Sequence, residues 1–438
     1  MKSNQLRKTT NAWAMYDWAN SAFATSILTA LLPVYYQTVA GIGLPGNTAT
    51  VYWGYTTAAA LAIAAVLSPV LGAMADFKGA KKRYLGYFAL LGVTGTALLY
   101  FAGQGQWLLA SIFFILGNVG YAGANVFYDS LLPHVAGPEE IDQVSARGFA
   151  FGYLGGGLLL AVNVAMIYFA GPEQSAQVIR LAFLTVAVWW LVFSLPLLVT
   201  VPEVGPLVMP GEAGKPALQV SLSRLKGTYH ELRKYREVLK FLLAIWLYTD
   251  GIGTIVKMAV IVGAEIGIAQ TTLVGTILLV QFVSIPFSVL FGNLAKRTGP
   301  KRGIYIGLSV YTLAALGAMR MQADWHFLLL GVVIAFVQGG TQALTRSMGA
   351  RMIPKSKSGE FFGFVSVTIK FAGIAGPLIF AFTAQHLGNS RLGFLTVLIF
   401  FLGGIYFLQQ VDEQQAVELA EQEEARFAAL GTLQTGES

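Results

Sequence analysis

The chain has no cysteine. That excludes a disulfide framework, a thiolate metal site and a cysteine nucleophile. Its four histidines, His134, His230, His326 and His386, are far apart, and none belongs to a metal-spaced pair. No H-E-x-x-H, G-x-S-x-G or G-x-x-x-x-G-K-S/T run occurs. Neither a metal nor a cofactor is expected, and an enzyme is the remote reading. Charge is scarce as well: 12% of the 438 residues are charged, against about 25% in soluble domains.

Apolar sequence fills the space instead, at 55% of the residues. Runs of about 20 apolar residues, the length that crosses a bilayer, recur to the end of the chain. The runs predict an all-α polytopic membrane protein with spans at 12–39, 50–74, 84–102, 107–131, 148–170 and 178–200. A second set falls at 240–263, 271–295, 303–321, 326–349, 361–384 and 392–410. The first run follows Lys2, Arg7 and Lys8, but it is too long for a signal peptide and holds an Asp, so a retained span is expected.

With both termini in the cytoplasm, 24 of the 29 lysines and arginines fall on the cytoplasmic side, counting residues 346–358 as a loop. This obeys the positive-inside rule. The net charge of +7 therefore reflects topology and anionic lipid rather than nucleic acid. The layout predicts a first six-helix bundle over 1–200, a linker over 201–239, a second bundle over 240–411 and an acidic tail over 412–438. In the linker, Leu222, Leu225, Tyr229 and Leu232 share helical spacing among Arg224, Lys226, Arg233 and Lys234. An amphipathic helix on the membrane surface and a solvated linker both fit. The tail reads as a cytosolic helix that frays.

The loop GAMADFKGAKKRY (72–84) returns as GNLAKRTGPKRGIY (292–305), 220 residues later. Gly72, Ala75, Gly79 and Lys81 match Gly292, Ala295, Gly299 and Lys301. Two six-span halves with a duplicated basic glycine turn indicate parallel repeats, and the turn resembles the cytoplasmic loop motif of the major facilitator superfamily. As a cytoplasmic gate, Asp76 would meet a helix N-terminus or an arginine such as Arg147, with Lys82 in the same turn. Lys296 stands where the second copy would carry its Asp, so an asymmetric latch is expected.

Polar residues inside the spans form stripes. Asp17 and Asn20 share a face of span 1, and Asn118, Tyr121, Asn125 and Asp129 a face of span 4. Span 7 carries Asp250, Thr254 and Lys257, span 10 carries Gln338, Thr341, Gln342 and Thr345, and span 11 carries Ser366 and Lys370. Uncharged members serve equally as helix–helix glue. A charge at membrane depth costs about 2.5–3.5 kcal/mol on insertion scales, so it is read as functional. Asp250 with Lys370 as a structural ion pair is the other reading, and Asp129 reads as a gate residue. The small-residue faces at 151–161 and 371–381 permit close helix approach.

The segments YDWANSAF (16–23), FYDSLLPHVA (127–136), SARGFAFGYLGGGL (145–158), LYTDGIGT (247–254) and GGTQALTRSMGARMIPKSKSGEFFGF (339–364) resemble the vacuole effluxer family of that superfamily. Asp129 departs from its pattern, where Asn is expected. The resemblance implies twelve helices, alternating access and export of a small solute, and the compact loops point to a bacterial inner-membrane member. The expected substrate is zwitterionic, such as an amino acid or short peptide. Asp17 and Asp250 are the candidates for the coupling proton or sodium ion, Asp17 as the coupling or inner-gate carboxylate and Asp250, with Lys257 and Lys370, as the group nearer the substrate. The lysines would hold a substrate carboxylate or neutralise an empty-state Asp. Asn20, Asn118, Tyr121, Asn125, Gln338 and Gln342 would orient the solute. An exporter of amphipathic drugs or lipids is the alternative, and a non-transporting receptor or scaffold the distant one. A monomer is expected.

Overall fold

The computed structural model describes residues 2–46, 48–209, 211–230, 234–387 and 389–435. Helix α1 (Lys2–Ala22) continues to Ala40 through two wider π-helical stretches, Phe23–Leu31 and Tyr36–Ala40. Then follow α2 (Thr48–Lys78), α3 (Lys81–Leu98) and α4 (Trp107–Val135). The stretch Ile141–Thr200 breaks at Gly171, whose φ of 74° only glycine adopts readily, into α5 (141–170) and α6 (172–200). After the linker helix α7 (Ala217–His230) come α8 (Arg236–Glu265), α9 (Gln270–Thr298) and α10 (Pro300–Ala318). Next are α11 (Asp324–Arg351), α12 (Ser358–Leu387), α13 (Phe394–Gln409) and the tail helix α14 (Glu413–Thr435).

Among the described residues, ten stretches are long and apolar enough to cross a membrane. Dividing the 60-residue stretch at Gly171 and adding the shorter α10 gives twelve spans. These are the twelve spans, six in each half, of the all-α membrane protein that the apolar runs predict. α1 packs on the Ile141–Thr200 stretch, where Gly148, Gly152, Gly155 and Gly156 of α5 replace bulk. A Cβ at Gly148 would stand 2.5 Å from Asp17 Oδ2, and one at Gly152 2.6 Å from Ser21 Oγ. The two halves meet along α2–α12 and α5–α9.

Both glycine turns are built alike. Gly79 (φ 58°) and Gly299 (φ 84°) end α2 and α9 in the left-handed region. Gly72 lies against the Gly359 carbonyl of the opposite half, and a Cβ on Gly292 would sit 2.5 Å from Ala146 Cβ. The charges differ. Asp76 accepts from the Gly359 and Glu360 N–H groups (3.1 and 2.8 Å) at the start of α12 and pairs with Lys81 at 2.9 Å. Lys81 also crosses to Ser358 Oγ at 2.7 Å. Lys296 is exposed, Lys301 binds the Val411 carbonyl of its own half at 2.7 Å, and Lys82 holds the Val201 carbonyl at 2.9 Å. Arg147, offered above as a partner for Asp76, instead donates to Asn11 Oδ1 at 2.9 Å.

The linker forms a helix, α7, as the spacing of its leucines predicts. It packs on α2 through Val220, Ser221, Arg224 and Thr228, while Leu218 and Leu222 stay exposed. Arg224 sets this orientation by reaching Glu212 and the Leu207 carbonyl. Leu232 and Arg233 lie outside the described residues. The tail is helical, as expected, and it docks: Ala416, Ala420 and Phe427 form a buried face of α14. Glu423 pairs with Lys234 at 2.6 Å, and Glu424 accepts from the Ser356 N–H and hydroxyl.

Candidate functional site

A cavity of about 430 Å³ lies between the halves. Asp17, Asn20 and Ser21 of α1 and Asn118, Tyr121, Asn125, Tyr128 and Asp129 of α4 line one side. Tyr248 and Thr249 of α8, Gln342, Thr345 and Arg346 of α11, and Ser366 and Lys370 of α12 line the other. Leu28, Leu61, Ile252, Val365 and Ile369 add an apolar wall.

Arg346 is the centre of the polar network. Its Nη1 and Nη2 donate to Asp17 Oδ2 at 3.1 and 3.0 Å, and Nη1 also reaches Asp129 Oδ1 at 3.3 Å. Nε donates to Ser145 Oγ and Nη2 to the Ser145 carbonyl, both at 2.9 Å. The guanidinium is enclosed by the rings of Phe149, Trp13 and Tyr128, at 4.3, 4.8 and 5.3 Å. The Tyr128 hydroxyl adds a third donor to Asp17 Oδ2 at 2.9 Å. One cation of the second half thus holds two carboxylates and a helix end of the first. Removing one member of such a buried set costs about 3–5 kcal/mol.

Lys370 is placed differently. It donates to Ser68 Oγ at 3.2 Å and to Ser366 Oγ. Among the described residues no carboxylate lies within ion-pair distance of it. Asn20 Nδ2 donates to Asn125 Oδ1 at 2.6 Å, Tyr153 to Gln342 Oε1 at 3.3 Å, and Tyr248 shares a bond with Thr345 at 2.8 Å. Of the expected substrate residues, Asp17, Asn20, Asn118, Tyr121, Asn125, Gln342 and Lys370 line the cavity.

Three do not. Cavity residues of α8 follow 245, 248, 249 and 252, and Asp250 falls off that stripe. It is fully buried toward α12, where Oδ1 accepts from the Gly376 N–H at 3.0 Å. Lys257, two turns along the same off-cavity face, is exposed rather than buried. Gln338 sits one turn beyond Gln342, beside Tyr153. The ion pair of Asp250 with Lys370 does not form.

Arg346 is the residue that the sequence reading missed. It was counted with the basic loop 346–358, although the span at 326–349 already enclosed it. It also continues the stripe of Thr341, Gln342 and Thr345 by one position. Asp129, read above as a gate residue, belongs to the cavity wall.

Among the described residues, the hydrogen bonds and ion pairs that join the halves lie between the glycine turns and the level of Lys370 and Tyr153. They include Asp76 to α12, Lys81 to Ser358, Gln143 to Asn293, Arg351 to Asp142 and the Arg346 network. The cavity is therefore closed on the side that carries the glycine turns.

The fold recurs in the major facilitator proton:xylose symporter XylE, bound to 6-bromo-6-deoxy-D-glucose. That chain superposes with a TM-score of 0.70 at 16% identity, covering 93% of this chain and 95% of the other. In sequence, an MFS-type transporter of Bacillus subtilis strain 168, YxiO, is 36% identical over 422 residues, covering 95% of this chain and 97% of that protein. Autophagy-related protein 22 of Coccidioides immitis is 26% identical over 477 residues, covering 90% and 78%. The family described as Vacuole effluxer Atg22 like matches residues 41–142 and 138–421. The chain belongs to this Atg22-like family of major facilitator transporters.

Proposed function

We propose that the protein exports a small zwitterionic solute, such as an amino acid or short peptide, by proton-coupled alternating access across the inner membrane of a bacterium. One observation carries the reading. The cavity holds two carboxylates on one committed guanidinium, and a second cation, Lys370, whose partners among the described residues are the hydroxyls of Ser68 and Ser366. Lys370 takes the substrate carboxylate. Asp129, more exposed than Asp17 (30% against 11%), takes the ammonium. Asn20, Asn118, Tyr121, Asn125 and Gln342 orient the solute through amide and hydroxyl groups.

Asp17 carries the coupling proton. Protonation removes the charge that holds Arg346 to the first half and so loosens the closed cytoplasmic side. A proton loaded from outside then precedes entry of substrate from the cytoplasm, as an antiport exporter requires. The bundles 1–200 and 240–411 move as the two bodies, joined by 201–239, in a monomer.

Purified protein in liposomes tests this. Amino acid uptake driven by a proton gradient, lost in K370M and uncoupled from pH in D17N, is the expected result. Failure to move any amino acid or peptide under either gradient direction sinks the reading, and a sodium gradient that drives uptake in place of protons replaces the coupling ion. The apolar wall of Leu28, Leu61, Ile252 and Ile369 favours a second reading, an exporter of amphipathic compounds. Transport of lipophilic dyes with none of amino acids is the outcome that selects it.

A further inference from the structure

We infer that Glu360 is a proton-binding site of the cytoplasmic gate, protonated while the gate is shut and ionised when it parts. Glu360 lies in the first turn of α12 at the seam between the halves, and its side chain is fully buried. Among the described residues no donor completes a well-aligned hydrogen bond to either carboxyl oxygen, with the Thr228 hydroxyl near but not aligned. A buried carboxylate with no aligned donor is strongly disfavoured against the neutral acid.

The surroundings leave it alone. From α2 it faces Asp76, a like charge already committed to Lys81 and to the first N–H groups of α12. The helix N-terminus that would favour an ionised Glu360 is thus occupied. From the turn before α12 it faces Lys357, whose ammonium lies over the Phe427 ring of α14 at 5.1 Å. From α7 it faces Thr228 and Arg224. Arg224 directs Nε and Nη2 to Glu212, its Nη1 reaches no acceptor among the described residues, and the Thr228 hydroxyl lies beside the Glu360 carboxyl. The shut gate thus offers an ionised Glu360 the Thr228 hydroxyl alongside and no aligned cation among the described residues.

Opening separates Asp76 from α12 and lets water in, so the carboxyl returns to its ordinary acidity. The shut state therefore holds one more proton than the open state. Linkage gives the sign: low cytoplasmic pH favours the shut gate, and each unit of rising pH favours opening by up to about tenfold. The proton comes from and returns to the cytoplasm, so this site sets gating rather than coupling. The inference rests on the alternating-access reading, but not on the identity of the solute.

The absence of native cysteine allows spin labels at two exposed positions on opposite sides of the seam, K78C and K355C. Distances measured between about pH 5 and pH 9 span ordinary and buried carboxyls. In the doubly labelled protein the short-distance population should fall as pH rises. With E360Q added it should stay high and lose most of its slope. E360L, equally neutral, replaces E360Q if that variant does not fold. A slope unchanged by loss of the carboxyl, or no slope in the parent, overturns the inference. A slope of the opposite sign, short distances rising with pH, that survives E360Q but disappears in D17N overturns the inference, assigns the proton to the cavity and leaves the proposed function standing. A slope due to Glu360 in a protein that moves no amino acid leaves this site standing and removes the other.

Discussion

At Gly72 a helix of the first half presses on Gly359 of the second, and at Gly292 a helix of the second half presses on Ala146 of the first. The glycine positions do the same work in both copies. The charges do not. Asp76 and Lys81 bond across the α2–α12 seam, whereas Lys296 and Lys301 make no such crossing. At the α5–α9 seam the crossing falls to other residues, Gln143 with Asn293, while the nearby Asp142 pairs with Arg351 of α11. The two copies share the close backbone approach that glycine permits and differ in the ionic part of the latch.

The largest effect expected from this difference is at Asp76. D76A leaves Lys81 buried without its partner and two helix-start N–H groups uncapped. The loss to the shut state should be about 3–5 kcal/mol, the range for breaking a buried pair. It appears as a lower melting temperature and a longer K78C–K355C distance. Next come the glycines. G72A drives a methyl into a backbone carbonyl and G292A into a side-chain methyl. Overpacking of this kind costs about 1–3 kcal/mol, and the rigid carbonyl should put G72A at the upper end. K296A should change stability by less than about 0.5 kcal/mol, as exposed substitutions do. Equal losses in D76A and K296A would end the claim of asymmetry.

Much of this was legible in the sequence because the bilayer imposes length and polarity. Twelve spans follow from apolar runs, and the 220-residue shift exposes the repeat. The stripes of α1, α4 and α11 line the cavity because a polar face at membrane depth needs water or a partner. Periodicity defines a face but not the neighbour it meets. Asp250 and Thr254 therefore read like cavity residues, yet they face α12. Arg346 was hidden by the rule that revealed the topology, since a cation near a span end was counted with the loop. The tail was judged by its acidic composition, and its buried face (Ala416, Ala420, Phe427) is too sparse to stand out against it.

The tail also bears on the less ionic seam. Burial pushes the Glu413 carboxyl up. Arg351 opposes that rise, Asp142 adds to it and Lys301 opposes it. Glu413 thus stands among the groups that serve the second copy and its seam. A carboxyl raised in the docked state binds its proton more tightly there than in a released tail. Docking is then strongest below the ordinary carboxylate range and weakens as pH rises through the raised value. Neutral E413Q removes that loss. Its melting temperature should match the parent at low pH and exceed it by a small margin at neutral pH, with the gap growing over the range in between. A gap that stays constant with pH would show that Glu413 acts through packing alone, and that the tail adds no titratable tie to this seam.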